Sequence, residues 1–443
     1  MKWKILMSGL LLSGGLLISG CSILPSPGSL IMAPRVTGVQ SQNIVVKSIS
    51  EGDLKVDQPG DIKWSISASE ANTAVQKFLP SEAKLETPKN PSGAKAIQQQ
   101  DMDGDGKPEL LATYRVGQSP GKLGAILLQE KEHKWQKVWE LNYALAYALD
   151  HASFADITGD GRPELLLGWT VDARSLGGVG KHHGVDIFAW QGHDTSSKGE
   201  ALDKFEHWQG ILTRIDGIGY EKMEVLAPTD QEDTGQQAAL ALWSHLDSRG
   251  EKVYNSDSGE EHYYPDCAIY RWEKFGSGTV LSSADDLYPD YYKKLVAFYQ
   301  ENVKEMPEDP YYWLFLARAQ LNANLPEDAL KSITKGESVK SDDSWDLKNW
   351  LIMKGDALNK LGKYEEARSI LTNAMERKND NSYKYYLILG HSYAGLKETD
   401  KAKAAYEKSL ELIKQSEKRY NYAGYSEQPM VQRALDKVIN CHK

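Results

Sequence analysis

Short apolar runs alternate with polar, glycine-rich and acidic stretches over the first two thirds of this chain of 443 residues. The runs are rich in leucine, β-branched and aromatic residues, which is typical of strands. Similar segments recur about every 50 to 60 residues, a spacing typical of the blades of a β-propeller. A closed propeller needs at least about four blades, and three are recognisable between residues 101 and 283. The pattern therefore predicts either a degenerate further blade in residues 44–100 or an open, partial propeller.

Beyond residue 285 the apolar residues fall at helical spacing, three and four positions apart. Small and large residues recur there in three segments of about 35 residues each. The matching positions are Trp313, Leu316, Ala317 and Ala329, then Leu351, Gly355, Gly362, Tyr364, Ala367 and Ala374, then Tyr386, Leu389, Gly390, Tyr393, Ala402 and Tyr406. This pattern resembles the tetratricopeptide repeat, most closely in the second and third segments. The resemblance implies an all-α solenoid, with residues 428–440 as its capping helix.

Two nine-residue stretches, Asp101–Glu109 and Asp156–Glu164, carry acidic and glycine residues in one register, and each precedes an apolar strand. Acidic residues at alternate positions followed by a glycine suit a hard cation such as calcium. The candidate ligands are the side chains of Asp101, Asp103, Asp105 and Glu109 with the Lys107 carbonyl, and those of Asp156, Thr158, Asp160 and Glu164 with the Arg162 carbonyl. An EF-hand is excluded, because the position of its bidentate glutamate is held by Ala112 and Leu167.

These loops resemble the FG-GAP and VCBS calcium-binding repeats of bacterial surface proteins. The resemblance implies calcium, although glutamate replaces the last aspartate and Thr158 stands where the second loop would need an acid. An ordinary Asp-Gly turn is the alternative interpretation for either loop. A third, degenerate loop is predicted at 216–219, and a hairpin loop is predicted at 177–184.

The N-terminus has the pattern of an export signal, with basic residues at positions 2 and 4, an apolar run over 5–19 and then Cys21. The end of this segment resembles the lipobox of bacterial lipoproteins. That resemblance implies cleavage before Cys21, a diacylglyceryl anchor on its thiol and an extracytoplasmic location at the cell membrane. An ordinary secretory signal is the alternative. Cys267 and Cys441 then either form a disulfide or stay as buried thiols.

Four segments follow from these patterns. We expect a signal peptide at 1–20, a lipid anchor and tether at 21–43, an all-β, propeller-like domain at 44–284 and an all-α tetratricopeptide solenoid at 285–443. The formal net charge of −10 comes from the part before residue 285, since residues 285–443 carry 25 basic and 25 acidic residues. A nucleic-acid partner is therefore not expected, because it would need a basic face.

Both halves together resemble lipoproteins of Gram-positive bacteria that combine FG-GAP-like and tetratricopeptide repeats. Nucleophile-elbow and zinc-protease motifs are absent from the sequence. We therefore predict a non-enzymatic surface scaffold with a groove for a protein or peptide. Candidate contacts in that groove are Arg318, Asn322, Asn359 and His391, with plain solvated surface as the alternative for each. A second hypothesis is an enzyme or binding protein for cell-wall glycan, with the acidic face of the β region as its site. The 12 tryptophans and 23 tyrosines would suit a carbohydrate-binding surface if some of them were exposed.

Overall fold

The computed structural model describes residues 66–172, 181–190, 197–200, 206–229, 237–244, 254–255, 261–262, 266–275, 278–339, 344–378, 382–420 and 426–440. The expected signal segment, Cys21 with its tether, and Cys441 lie outside these residues. Across the described ranges, none of the helices is long and apolar enough to span a membrane.

The first part of the chain folds into a ten-stranded antiparallel sheet. Its strands are β1 (Ala83–Leu85), β2 (Ile97–Gln100), β3 (Glu109–Val116), β4 (Gly121–Lys131), β5 (Lys134–Ala155), β6 (Glu164–Asp172), β7 (Lys181–Trp190), β8 (Ser197–Glu200), β9 (Glu206–Gly210) and β10 (Leu212–Tyr220). Seven of them follow the order β1-β3-β4-β5-β6-β7-β10, β2 pairs with β3, and β9 joins β8 to β5. The sheet does not close on itself.

Strand β5 divides this sheet into two blade-like units. Its first part pairs with β4 and its last part with β6, and the pairing register shifts near Ala146 and Leu149. Helix α1 (Ala68–Gln76) packs Ala71, Ala74 and Val75 on the first unit. A capping box fixes the start of that helix, because Ser67 and Glu70 each accept a hydrogen bond from the other's backbone N–H.

A second, four-stranded sheet follows, with the order β11-β12-β15-β16. Its strands are β11 (Lys222–Leu226), β12 (Ala239–Ser244), β15 (Asp266–Phe275) and β16 (Gly278–Ser283), and β13 (Tyr254–Asn255) pairs with β14 (Glu261–His262) in a small hairpin. Alternate residues of β12 pack into two different hydrophobic cores, one on each face of the sheet. Leu240 and Leu242 pack toward the first sheet, whereas Ala241 and Trp243 pack toward the helices.

A short 3-10 turn at Asp285–Leu287 leads into eight helices. They are α2 (Pro289–Glu305), α3 (Pro310–Asn322), α4 (Pro326–Val339), α5 (Ser344–Lys360), α6 (Tyr364–Lys378), α7 (Tyr383–Gly395), α8 (Thr399–Tyr420) and α9 (Gln428–Asn440). Proline at the first position of α2, α3 and α4 supplies a backbone angle suited to helix initiation. Helices α3/α4, α5/α6 and α7/α8 form three antiparallel hairpins. The predicted order, an open all-β region and then a tetratricopeptide-like solenoid, is confirmed.

Two local predictions were wrong. Residues 216–219, expected to form a degenerate loop, lie in β10 and pair with β7, and a register shift between Arg214 and Asp216 accommodates them. Residues 181–184, expected in a hairpin loop, belong to β7. Asp and Gly favour turns, but in both segments the backbone hydrogen bonds to a neighbouring strand keep the chain extended. Residues 83–85 and 97–100 join the first sheet and do not form a separate blade.

Candidate functional site

The first Asp-Gly loop is shaped by one aspartate at its start. Asp101 Oδ1 accepts a hydrogen bond from the N–H of Gly104 at 2.7 Å, and its Oδ2 accepts one from Gly106 at 2.9 Å. Both glycines adopt the left-handed conformation, with φ of 80° and 84°, which an L side chain would strain. The chain therefore wraps around the Asp101 carboxylate, with Asp103 and Glu109 at its side.

Three carboxylate groups converge in this loop. One oxygen each from Asp101, Asp103 and Glu109 lies within 4.8 Å of the other two. Calcium ligands stand about 2.3 to 2.6 Å from the ion, so any two of them are at most about 5 Å apart. The donor set and its spacing thus fit a divalent cation. Asp105, the fourth predicted side chain, accepts a hydrogen bond from the Lys107 N–H at 2.8 Å and is not part of the cluster.

Glu109 is the buried member of the cluster, at the first position of β3. Its Oε2 accepts a hydrogen bond from the N–H of Met102 at 2.8 Å. Burial, with the neighbouring carboxylates (Asp103 first) as a smaller cause, raises the pKa of Glu109 to about 7 against the opposing effect of that hydrogen bond. Like charges held this close repel one another unless a cation or a proton offsets them.

Gln129 on β4 is a site residue that loop-based sequence reasoning missed. Its Nε2 donates to Asp103 Oδ2 at 2.7 Å and to Glu109 Oε1 at 3.3 Å, and the side chain is buried. It bridges two carboxylates from a neighbouring strand, 20 residues after Glu109. The signal in the sequence was weak, because Gln129 is only the first of several polar residues after the apolar run 124–128, and the pairing of β3 with β4 is what brings it to the loop.

The second loop repeats the backbone design but not the cluster. Asp156 accepts hydrogen bonds from Gly159 at 2.7 Å and Gly161 at 2.9 Å, as Asp101 does in the first loop. Glu164 instead accepts the hydroxyl of Thr158 at 3.0 Å. Burial raises the pKa of Glu164 to about 7, while hydrogen bonds from Ile157 and Thr158 oppose that shift. A neutral hydroxyl thus occupies the place of the Asp103 carboxylate.

The second loop also joins the two sheets. Gln237, just before β12, donates its Nε2 to the Ile157 carbonyl at 2.6 Å, and the Ala238 N–H donates to the Asp156 carbonyl at 2.7 Å. A side chain on Gly159 would approach Gln237 to 3.3 Å. The two further positions assigned to this loop, Asp160 and Arg162, share one hydrogen bond, from the Arg162 N–H to Asp160 Oδ1 at 2.9 Å.

Two of the four residues that were predicted to contact a partner in the groove are bonded to other residues of this chain. The guanidinium of Arg318 on α3 forms an ion pair with Asp266 of β15. Asn359 on α5 is buried, donates to the Ile388 carbonyl at 2.9 Å and accepts from the Ser392 hydroxyl at 2.9 Å. Its amide therefore ties α5 to α7. The assignment of Asn359 as a partner contact is corrected on this ground, because a buried, bonded amide is not accessible.

The other two groove candidates, Asn322 and His391, are half-buried. His391 on α7 packs its ring against Tyr406, with centroids 5.7 Å apart. Burial lowers the pKa of His391, so the imidazole is neutral at neutral pH. These two side chains are the members of the predicted set that we retain as candidate partner contacts.

Comparisons with known proteins agree with the two kinds of repeat. A family model described as an FG-GAP-like repeat matches residues 101–167, and a tetratricopeptide repeat model matches 351–381 and 383–416. The chain therefore carries an FG-GAP-like repeat and tetratricopeptide repeats. The first match contains both Asp-Gly loops, and the second contains α6, α7 and most of α5 and α8.

Solved structures similar to this chain include a tetratricopeptide protein and MamA. A thermophilic TPR protein of Thermus thermophilus is 22% identical, with 34% of this chain and 74% of that chain covered and a TM-score of 0.28. MamA from residue 41 onward, from Desulfovibrio magneticus, is 17% identical, with 36% and 94% covered and a TM-score of 0.23. No protein of curated function matches the chain.

Proposed function

We propose that this chain is an exported, lipid-anchored scaffold protein that binds calcium at its first Asp-Gly loop and a protein partner through its helical repeats. The observation that carries the proposal is that an FG-GAP-like repeat and tetratricopeptide repeats occur in one chain. Tetratricopeptide stacks expose an extended concave surface that suits protein recognition. We infer no chemical reaction, and the metal has a structural role.

Calcium at the first loop is supported by the convergence of Asp101, Asp103 and Glu109. A divalent cation there would neutralise carboxylates that otherwise repel one another, one of them buried. It would thereby fix the start of β3, which is an inner strand of the first sheet. The second loop lacks the third carboxylate, so we propose that it holds its shape through Thr158 and Glu164 without a tightly bound ion.

The lipid anchor is supported by the sequence pattern that ends at Cys21. An anchored protein of this kind would hold its folded part outside the cell, where calcium is abundant enough for modules that bind it at about 10⁻⁴ to 10⁻³ M. Anchor, export and calcium site thus form one consistent proposal.

The glycan-directed alternative has less support. Exposed aromatic side chains would have favoured it, yet among the side chains that the structure describes no tryptophan, tyrosine or phenylalanine is exposed. Trp139, Trp169, Trp243 and Trp350, for example, lie in hydrophobic cores. A protein ligand for the helical repeats is therefore the better supported function.

Thermal unfolding tests the calcium part. Millimolar calcium should raise the melting temperature of the wild-type chain through mass action, because the ion binds only the folded loop. Asp103→Ala should abolish most of that increase, since it removes one of the three converging carboxylates. Asp160→Ala is the matched control in the second loop and should reduce the increase less. A melting temperature unchanged by calcium and by chelator would refute the calcium site.

Affinity capture tests the partner part. The mature chain without its lipidated cysteine, residues 22–443, should retain a specific protein from the host's surface fraction when it is immobilised in calcium. The double variant Asn322→Ala/His391→Ala removes the two half-buried candidate contacts and should lose that protein. The full mature chain is the right bait, because α2 and α3 share a core with the second sheet. Equal retention by the double variant, or retention of nothing beyond a mock resin even after Arg433→Ala removes the ion pair with Glu273, would contradict partner binding at this face.

A further inference from the structure

The helices contact the second sheet in two chemically different ways. Helices α2 and α3 pack on it through a large apolar core that includes Trp243 and Phe298, whose rings meet edge to face with centroids 5.4 Å apart. Trp350 and Met353 of α5 extend the same core. Apolar contacts of this extent make the first part of the solenoid a permanent neighbour of the sheet.

The last helices meet the sheet through polar contacts. In the described part of the chain, the core shared by α5 to α9 contains helical residues alone. Arg433 on α9 forms an ion pair with Glu273 of β15 and another, at 3.4 Å, with Asp286 of the 3-10 turn. Just before α9, the Ser426 N–H donates to the Leu281 carbonyl of β16 at 2.9 Å. We call these three contacts the α9 contact.

The α9 contact lies across the concave side of the repeats. Helices α3, α5, α7 and α9 touch one another in sequence and form the inner layer of the stack. Strand β15 reaches both ends of that layer, since its Asp266 pairs with Arg318 on α3 and its Glu273 pairs with Arg433 on α9. The negative charge of Asp286 in the 3-10 turn also acts on His391 of α7. The chain's own strand and turn therefore cover the face that a partner would use.

We propose that the α9 contact is an autoinhibitory latch, which holds the concave face of the repeats closed against the second sheet and exposes that face when it opens. This inference rests on the proposed protein-binding function of the repeats, but the latch can be tested without a partner. The α9 contact consists of charged and polar groups and not of apolar packing, and the side chains of Arg433 and Glu273 are 20% and 11% exposed. When the latch opens, α2 and α3 would stay packed on the second sheet through their apolar core, and the later helices would move away from it.

Hydrogen exchange of the mature chain measures the latch directly. Arg433→Ala removes both ion pairs, and exchange in residues 426–440 and 278–283 should become about tenfold faster, as expected for the loss of a charged hydrogen-bond network. Exchange in residues 289–305 and 310–322 should not change. Arg433→Lys keeps the charge and should preserve most of the protection. Lys437→Ala, an exposed position one turn later on α9, is the matched control and should behave as wild type.

Salt provides a second arm of the experiment. Raising sodium chloride to about 1 M shortens the screening length to about 3 Å, and partly buried pairs are screened less than exposed ones, so exchange of the wild-type chain in the same two segments should move part of the way toward that of Arg433→Ala. Unchanged exchange of residues 426–440 in Arg433→Ala would overturn the latch. Faster exchange throughout α2 to α9 would overturn it as well, because it would show that Arg433 supports the whole fold and not a local closure. Neither result bears on whether a partner is captured.

Discussion

The junction between the second sheet and the helices contains more negative than positive charge, and this imbalance makes a quantitative prediction. The carboxylates of Asp266 and Asp285 both lie near the guanidinium of Arg318. Asp285 Oδ1 accepts the Tyr292 hydroxyl at 2.6 Å and the Ile269 N–H at 2.8 Å. Burial nevertheless raises the pKa of Asp285 to about 6, because the hydrogen bonds and Arg318 offset the loss of hydration only in part.

The sign of the effect on stability follows from linkage. A carboxyl group with a raised pKa in the folded state binds more protons there than in the unfolded state, so the free energy of unfolding falls as pH rises from about 4 to 6. A shift of about two units corresponds to about 3 kcal/mol, and the partial exposure of Asp285 reduces our expectation to about 2 kcal/mol. Asp285→Asn keeps an oxygen acceptor for both hydrogen bonds and removes the charge.

Urea unfolding at several pH values, with chelator present, tests this prediction. Asp285→Asn should match the wild type near pH 4 and exceed its free energy of unfolding by about 2 kcal/mol at pH 7.5. Asp290→Asn is the control, because its exposed carboxylate pairs with Lys293 at 2.7 Å on the surface of α2 and contributes little. A difference between Asp285→Asn and wild type that does not vary with pH would refute the reasoning.

Three further predictions concern other parts of the chain. Wild-type protein produced in its host should partition into detergent, whereas Cys21→Ala should stay in the aqueous phase; equal aqueous partitioning would exclude the lipid anchor. Asn359→Ala should lower the free energy of unfolding by about 2 kcal/mol, because it leaves the buried Ile388 carbonyl and Ser392 hydroxyl with fewer partners. Asn322→Ala is the control, and an effect of Asn359→Ala as small as that of the control would contradict this role. Gln129→Leu should lower the free energy of unfolding by about 1 to 2 kcal/mol, measured by chemical denaturation with chelator present, because Asp103 and Glu109 lose their shared hydrogen-bond donor. Unaltered stability would show that the hydrogen bonds from Gln129 to the two carboxylates are unimportant.

The parts of the fold that sequence predicted were those with strong local patterns. The small and large residues of the repeats, such as Ala367 and Tyr406, are buried at helix crossings, as their spacing indicated. The two Asp-Gly loops were recognisable because ligand spacing and glycine placement are encoded within nine consecutive residues. The capping box at Ser67 and Glu70 is an equally local signal, and it starts α1 within residues 44–100, where a degenerate blade was one of the two expectations.

Features that depend on pairing between distant segments could not be predicted. Gln129 reaches the first loop only because β4 lies beside β3. Arg318 looked like a free residue of a groove, since nothing near it in sequence reveals Asp266, 52 residues earlier. Likewise, the contact of Arg433 with Glu273 spans 160 residues. Periodicity shows which face of a helix is buried but not which element buries it, and the covered concave side was missed for that reason.

Equilibrium dialysis with radioactive calcium, applied to a reciprocal exchange between the two loops, tests the calcium scaffold most directly. The loops share their backbone design and differ at the position held by Asp103 in one and Thr158 in the other. The wild-type chain should bind one calcium ion, with a dissociation constant of about 10⁻⁴ to 10⁻³ M. Asp103→Thr should bind none in that range, and Thr158→Asp should bind two, because it supplies the missing carboxylate beside Asp156 and Glu164. A wild-type chain that binds no calcium, or a stoichiometry that neither substitution changes, would contradict the assignment of the first loop as the metal site.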